Sequence, residues 1–238
     1  MKTELYAAAS RGHKNHGWLD TYHTFSFATY YNPDRVHFGA LRVINDDVVE
    51  AGQGFGTHPH DNMEIVSIPL YGDLEHRDSM GHTSVISAGE VQVMSAGTGL
   101  MHSEYNSSED KPLNFLQIWV FPREQDVKPR YDQKSFDFIH DKGRFIPIVS
   151  PDSKDDSLWL NQDVWFSIAT LDRDTELEYK IKKRGNGVFA MVIEGQFTVA
   201  GKNLNHRDGL GIWETSSVSV KANTDNARIL IIDVPMKV

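Results

Sequence analysis

The chain has 238 residues, and its 33 acidic and 24 basic side chains give a formal net charge of −9. Hydrophobic residues make up 39%, which excludes an intrinsically disordered chain. The acidic balance disfavours direct nucleic-acid binding, because phosphate contacts need clustered lysine and arginine. No apolar run reaches the roughly 18–20 residues of a membrane span. We therefore expect a cytoplasmic protein without membrane or nucleic-acid contacts.

The chain contains eleven histidines and no cysteine. Without cysteine it forms no disulfide, thiolate zinc site or iron–sulfur cluster, and it has no cysteine nucleophile. Any metal must therefore be held by nitrogen and oxygen ligands. The histidines are the residues to follow, because imidazole is the commonest metal ligand in proteins.

Short runs rich in β-branched residues, separated by glycines and polar turns, predict strands along most of the chain. In chain order the predicted strands are 40–44, 48–50, 64–70, 84–86, 90–94, 114–120, 188–194, 195–200, 209–213, 217–221 and 228–234. Their spacing is typical of a β-sandwich or barrel. Two short helices are also expected, at 29–35 and around 152–157. The sequence thus predicts an all-β fold with few helical residues.

A weak internal repeat relates the two halves of the chain. Residues 70–75 resemble residues 193–198, with a glycine at the third position of each segment. Residues 87–93 resemble residues 207–213 in the same way, and follow the first segment at a similar interval. The repeat indicates two related β-domains in tandem.

A looser polar stretch separates the two halves. It contains prolines and few β-branched residues, although several phenylalanines within it indicate packing against a neighbour. We expect a first domain at 1–128, a connector at 129–150 that packs on both domains, and a second domain at 151–238.

Two pairs of metal-ligating side chains occur at a spacing of two residues. His58 and His60 form one pair, and His102 and Glu104 form the other. Residues two apart on a strand point to the same face, so two neighbouring strands would bring three imidazoles and a carboxylate together. This set suits a divalent metal with open positions. Glu64 also has an even spacing from His60, and strand geometry alone does not choose between Glu64 and Glu104.

The remaining histidines of this region are predicted to have no metal-binding role. His76 and His82 flank a loop-like segment at 77–81, and an isolated histidine is more often a surface or core residue than a ligand. After residue 151 the sequence contains one histidine, His206. A second three-histidine site therefore cannot be built in the second half.

The pattern around these residues resembles the two cupin motifs. The first segment reads Gly52-x5-His58-Pro59-His60-x3-Glu64-x7-Gly72, and the second reads Gly89-x5-Ser95-Ala96-Gly97-x4-His102-x3-Asn106. The second departs from the general motif by Ser95 in place of proline and by two extra residues before the histidine. These two departures match the pirin branch of the cupins, and the sequences at 16–27 and 97–104 also resemble pirins. The similarity is closest to bacterial pirin-like quercetin 2,3-dioxygenases.

The resemblance implies a bicupin, with two jelly-roll-like domains and one metal site in the first. The ligands of the family match His58, His60, His102 and Glu104, and the position of Glu64 is not a ligand. Fe(II) is the metal expected from the resemblance, with Mn, Ni, Cu, Co and Zn as alternatives. The second domain is expected to lack a metal.

The resemblance also implies an activity, in which a flavonol such as quercetin reacts with dioxygen, its heterocycle opens and carbon monoxide leaves. Glu104 would be both ligand and catalytic base. Two alternatives stay open: a metal-containing regulatory protein that binds a protein partner, and a cupin dioxygenase that acts on another aromatic substrate. Residues 63, 94, 101, 115 and 119 could form walls for a planar substrate, but core packing is the more frequent reason for such residues, so none is assigned to binding.

Overall fold

The computed structural model describes residues 1–237, and nearly all of its regular structure is β-strand. The strands of the first half are β1 (Lys2–Tyr6), β2 (Gly12–Asn15), β3 (Leu19–His23), β4 (Leu41–Val49), β5 (Gly54–His60), β6 (Glu64–Tyr71), β7 (Asp73–Asp78), β8 (Thr83–Ser87), β9 (Glu90–Ser95), β10 (Leu100–Asn106), β11 (Leu113–Val120) and β12 (Arg130–Ser135). Those of the second half are β13 (Ile146–Ser150), β14 (Leu158–Trp159), β15 (Trp165–Leu171), β16 (Glu176–Lys180), β17 (Asn186–Glu194), β18 (Phe197–Val199), β19 (Lys202–Leu204), β20 (Gly209–Trp213), β21 (Ser217–Ala222) and β22 (Ala227–Pro235).

Each half forms a seven-stranded and a four-stranded sheet. The first half has the orders β12-β9-β6-β11-β4-β3-β2 and β5-β10-β7-β8. The second has the orders β1-β20-β17-β22-β15-β13-β14 and β16-β21-β18-β19. Strand β4 corresponds to β15, β5 to β16, and so on in sequence to β11 and β22. The predicted fold of two tandem jelly-roll-like domains is therefore confirmed.

The internal repeat marks equivalent turns in the two domains. Gly72 lies between β6 and β7 with a φ of 79°, and Gly195 lies between β17 and β18 with a φ of 75°. This left-handed conformation is one that glycine adopts without steric cost. The repeated glycine thus reports the same strand connection in both domains.

The two domains exchange edge strands. Strand β1, at the start of the chain, pairs with β20 of the second domain. Strand β12, in the predicted connector, pairs with β9 of the first domain, and β13 at its end pairs with β15 of the second. The domain limits at 128 and 151 stay a prediction.

The largest apolar cluster joins the two domains. It combines side chains of the first seven-stranded sheet, such as Val66 and Ile118, with side chains of the second, such as Phe166, Phe189 and Ile232. The second domain also has a continuous apolar core between its own two sheets. The interior of the first domain instead holds two small, separate clusters. Its remaining interior is polar, and this is where the candidate site lies.

The two predicted helices are wrong, since residues 29–35 and 152–157 form turns and bends. Asn32 Oδ1 accepts a hydrogen bond from the backbone N–H of Asp34 at 3.0 Å, and Asp152 Oδ1 accepts one from Lys154 at 2.9 Å. Such side-chain bonds to the backbone compete with helix formation. The one helical element in residues 1–237 is a 3₁₀ turn at Ala8–Ser10. None of the described helices is long and apolar enough to cross a membrane.

A buried ion group also connects the domains. Asp46 Oδ2 lies 3.2 Å from Arg11 Nη1 and 3.1 Å from Arg207 Nε, and all three side chains are buried. Asn114 donates a further hydrogen bond to Asp46 Oδ1 at 2.9 Å. Because Arg207 belongs to the second domain, one carboxylate neutralises cations from both sides of the interface.

We predict that Asp46→Asn lowers the free energy of unfolding by about 3–5 kcal/mol, because it leaves two buried guanidinium groups without their counter-charge. Glu214→Gln is the matched control, since the Lys2–Glu214 pair is exposed, and it should change stability by less than about 0.5 kcal/mol. Urea denaturation of both variants measures the difference. An Asp46 variant as stable as the parent would contradict this account of the interface.

Candidate metal centre

Three neighbouring strands position the candidate ligands. Strand β10 lies between β5 and β7, so His102 is opposite His58 on one side and opposite Asp78 on the other. The β5–β10 register shifts between His102 and Glu104, as in a β-bulge. Bulges are frequent beside functional sites because they redirect side chains. The predicted convergence of two i, i+2 pairs is thus present in the backbone.

The structure brings the three histidines together. The ring centroids of His58 and His102 are 4.4 Å apart, those of His60 and His102 are 4.8 Å apart, and those of His58 and His60 are 4.9 Å apart. One nitrogen from each ring lies within 4.8 Å of one nitrogen from each of the others. His102 is buried, whereas His58 and His60 are partly exposed. The cluster is therefore open on the β5 side.

Two of the three imidazoles are held in the neutral form that binds metals. Burial, followed by the nearby His58, lowers the pKa of His60 to about 4. Burial, followed by the other histidines, lowers the pKa of His102 to about 2. His58 Nδ1 lies 2.8 Å from the carbonyl oxygen of Gly56 and donates to it. This bond engages Nδ1, so Nε2 is the nitrogen that His58 can offer to a metal.

Glu104 is a buried carboxylate with both oxygens hydrogen-bonded. Gln117 Nε2 donates to its Oε2 at 2.7 Å, and Ser67 Oγ lies 3.2 Å from its Oε1. Burial raises the pKa of Glu104 to about 7. Glu104 groups with His102 and His76 within 4.8 Å, rather than with all three predicted histidine ligands. His102 is thus shared by two overlapping groups of donors.

The support under Glu104 extends across the seven-stranded sheet. Five inward-facing polar residues lie side by side on β3, β4, β11, β6 and β9; we call them the polar row: His23, Asn45, Gln117, Ser67 and Gln92. His23 Nδ1 lies 2.8 Å from Asn45 Oδ1, and Gln92 Nε2 donates to Ser67 Oγ at 3.3 Å. All five side chains are buried. Hydrogen bonds within the row offset the cost of burying them.

Glu64 lies apart from both groups of donors. Strand β5 ends at His60 and β6 begins at Glu64 in the other sheet, so the even spacing does not place the two residues on one face. Glu64 Oε2 accepts hydrogen bonds from Ser95 Oγ at 2.7 Å and from the backbone N–H of Asn161 at 3.0 Å. Asn161 belongs to the second domain's half of the chain. The geometry therefore gives Glu64 a place at the domain interface.

His76 is the residue that the sequence analysis missed. It lies on β7 rather than beside a loop, is completely buried, and joins the group of His102 and Glu104. Leu74, His76 and Asp78 are spaced two residues apart and therefore share one face of the strand. Because Leu74 is apolar, this spacing could have placed His76 inside the domain. The pairing of β7 with β10 could not be read from that spacing.

A cavity of about 200 Å³ opens beside the candidate ligands. His58, His60 and Glu104 form part of its wall, and β3 and β4 contribute the polar side chains of Thr21, His23, Asn45 and Asp47. Apolar lining comes from residues 19, 27, 28, 55 and 119. Of the five candidate wall residues in the sequence, only Trp119 lines this cavity, and its ring centroid lies 4.9 Å from that of His60.

The donor set fits a divalent metal. Both ring nitrogens of His102 are buried, and neither has a hydrogen-bond partner within residues 1–237. Such unpaired buried nitrogens are costly unless an ion or a water satisfies them. Three imidazoles with an adjacent carboxylate suit several first-row divalent ions. Among the described residues, the groups of at least three potential donors all lie in the first domain.

Comparison with known proteins assigns the family. The model described as Pirin matches residues 5–120, and the model described as Quercetinase C-terminal cupin domain matches residues 147–234. Quercetin 2,3-dioxygenase of Escherichia coli (strain K12) is 47% identical over 231 residues, which cover 97% of this chain and 98% of that protein. The chain belongs to the pirin family.

Two solved pirin structures from Escherichia coli have the same fold. YhhW matches with a TM-score of 0.94 and 46% identity, over 98% of each chain. Bacterial pirin YhhW in complex with nickel(II) matches with a TM-score of 0.93 and 45% identity, over 98% of this chain and 99% of that one. A pirin of the same architecture therefore binds a divalent metal.

We predict a pH-dependent effect of Asp47, a buried cavity residue that accepts a hydrogen bond from Thr21. Burial raises its pKa from 3.8 to about 7, so the unfolded chain ionises at lower pH than the folded one. Asp47 should therefore cost the folded protein stability as the pH rises from 4 to 7, whereas the buried His60 and His102 have the opposite effect in this range. Asp47→Asn should remove only the contribution of Asp47, so that its stability relative to the parent increases with pH by at most about 4 kcal/mol.

Thermal unfolding of the metal-free protein between pH 4 and pH 8 tests the effect. Asp20→Asn, at a half-exposed carboxylate on β3, controls for the loss of one charge. Parallel pH profiles for the parent and Asp47→Asn would contradict the prediction.

Proposed function

We propose that this pirin is a metal-dependent dioxygenase that opens the heterocycle of flavonols such as quercetin. The proposed ligands are His58, His60, His102 and Glu104, and the proposed metal is Fe(II), with Mn, Ni, Cu, Co and Zn as alternatives. The observation that carries the proposal is that His58, His60 and Glu104 border one cavity, with His102 directly behind them in contact with both histidines. The names of full-length relatives, quercetin 2,3-dioxygenase, support the substrate class.

The cavity suits one edge of a planar substrate. Its volume of about 200 Å³ is below the roughly 300–1,000 Å³ of pockets that enclose a whole drug-sized ligand. A flavonol would therefore enter with its hydroxyl-ketone edge toward the histidines, and its remaining rings would extend to the mouth. Trp119 provides an apolar surface beside His60, while Asp47 and Asn45 face substrate hydroxyls with polar atoms.

Glu104 is the proposed catalytic base. A bound divalent metal would supply Lewis acidity that makes the 3-hydroxyl of a flavonol more acidic. Glu104 lies in the wall of the cavity, so its carboxylate is placed to take the proton removed from that hydroxyl. Gln117 and Ser67 keep the carboxylate in place during this transfer. Both atoms of dioxygen then enter the ester product, and one ring carbon leaves as carbon monoxide with the oxygen of the former hydroxyl.

A regulatory protein that binds a protein partner is the second candidate function. The outer face of β10, directly behind the candidate ligands, exposes the side chains of Met101 and Tyr105 by 46% and 38%. Val85 on β8, in the same sheet, is 46% exposed. A protein partner would cover these exposed side chains, which Glu75 of β7 interrupts between Tyr105 and Val85. Metal binding without turnover of any flavonol or other aromatic substrate would support this function over the dioxygenase.

We predict that iron-loaded protein, mixed with quercetin without oxygen and then exposed to it, releases one carbon monoxide for each quercetin consumed. His58→Ala and Glu104→Gln should lower turnover by at least about 100-fold, because they remove a metal ligand and the base. Gas chromatography of the headspace measures the product. His206→Ala, at an exposed histidine of the second domain, is the matched control and should retain full turnover.

The proposal fails if the loaded parent releases no more carbon monoxide than free iron does. It also fails if folded His58→Ala and Glu104→Gln proteins turn over quercetin at the parent rate. In the second case the cavity would not be the reaction site.

A further inference from the structure

A buried histidine with no role in the proposed ligand set lies beside His102. His76 is completely buried, and its Nδ1 has no hydrogen-bond partner in the part of the chain from 1 to 237. Its ring centroid lies 5.4 Å from that of His102. A ring nitrogen of His76 is within 4.8 Å of a ring nitrogen of His102 and of a carboxylate oxygen of Glu104. A buried imidazole nitrogen without a hydrogen-bond partner is costly, so its presence beside His102 indicates a function.

Asp78 determines the proton arrangement of His76. Its Oδ2 lies 3.3 Å from His76 Nε2 and 2.8 Å from His82 Nδ1. Its Oδ1 accepts the backbone N–H groups of Met80 at 2.9 Å and His82 at 3.0 Å. These bonds favour the ionised carboxylate, although its side chain is fully buried. An ionised Asp78 only accepts, so His76 Nε2 must donate to it.

This bond uses the N–H of His76 Nε2 and leaves Nδ1 without a partner in residues 1–237. A proton on Nδ1 would be a buried donor with no acceptor, so Nδ1 is the ring position that can accept. A ring nitrogen of His76 lies within 4.8 Å of one of His102, although the two rings share no hydrogen bond. His102 has two unpartnered nitrogens, of which a metal can take one. The other must carry the proton, and the lone pair of His76 is complementary to it.

The orientation of His76 is fixed by stacking. Tyr131 of β12 stacks on both His76 and His82, with centroid distances of 4.7 Å and 4.8 Å and interplanar angles of 21° and 23°. The Tyr131 hydroxyl donates to Gln133 at 2.8 Å. The ring of His76 therefore has a packed aromatic face, and rotation would break its bond to Asp78.

We propose that His76, oriented by Asp78, is a positioning residue that fixes the ring orientation and tautomer of His102 for metal binding. Histidine ligands commonly donate their other N–H to an acceptor, and loss of that acceptor lowers metal affinity by about 10–100-fold. The inference rests on the metal site of the proposed function, but not on its flavonol chemistry.

Nickel(II) binding tests the proposal directly. Isothermal titration calorimetry of metal-free protein should show about 10–100-fold weaker binding for His76→Phe, which removes the acceptor. Asp78→Asn should weaken binding too, because an amide can donate to His76 Nε2 and reverse its proton arrangement. His76→Gln keeps an acceptor oxygen and should recover at least part of the affinity. His82→Ala is the matched control at the exposed partner of Asp78, and should stay within about threefold of the parent.

Two further measurements separate positioning from other roles. Thermal unfolding of the metal-free variants shows whether each variant is folded. If His76→Phe has lost its fold, the nickel(II) affinity of His76→Gln tests the positioning role in its place. The absorption spectrum of cobalt(II)-loaded protein reports the ligand set, and it should keep the parent band pattern in His76→Gln. If the spectrum of His76→Gln instead shows that one nitrogen ligand has been lost, His76 is itself a ligand. That result would overturn the positioning role.

Nickel(II) affinities of folded His76→Phe and Asp78→Asn within threefold of the parent would also overturn the proposal. Failure of the parent itself to bind nickel(II) would overturn both this inference and the proposed metal site. Normal nickel(II) behaviour, without carbon monoxide release from iron-loaded protein and quercetin, would overturn only the flavonol reaction.

Discussion

The structure depends on hydrogen bonds among the polar groups that the first domain buries inside a β-sandwich. The first domain buries the polar row of His23, Asn45, Gln117, Ser67 and Gln92 where a sandwich normally holds apolar side chains. An unpaired buried polar group costs roughly 1–3 kcal/mol, so the row is stable only as a hydrogen-bonded set. It supports Glu104 through Gln117 and Ser67. The position of Glu104 in the candidate centre therefore depends on hydrogen bonds across the whole sheet, and not only on the four proposed ligands.

The second domain has the continuous apolar core that the first domain lacks. In β16 and β21, which correspond to the strands of the candidate ligands, the inward positions hold Tyr179, Val218 and Val220. The interior is continuous and apolar there, and the largest apolar cluster lies between the two domains. One repeat of the duplicated fold thus has a polar interior with the candidate metal centre, and the other has a packed apolar interior.

The sequence analysis predicted the all-β fold and the meeting of His58, His60 and His102, because strand alternation is a local property. It left Glu64 open, because a break between β5 and β6 changes the sheet and the face. It missed His76, whose pairing with Glu104 across β7 and β10 is a long-range contact. It also could not place β1 in the second domain, since strand exchange depends on tertiary packing. Spacing along the chain was thus enough to identify residues that can bind a metal. Which of these residues lie next to each other depends on the pairing of strands that are distant in the sequence.

The most direct test of the central claim, a single divalent-metal centre in the first domain, is a crystal structure of the nickel(II)-loaded protein with anomalous data at the nickel edge. The account predicts one strong anomalous peak for each chain, coordinated by His58, His60, His102 and Glu104, with no peak in the second domain. A peak coordinated by Glu64, a peak in the second domain, or no peak at these histidines in fully loaded protein would contradict it.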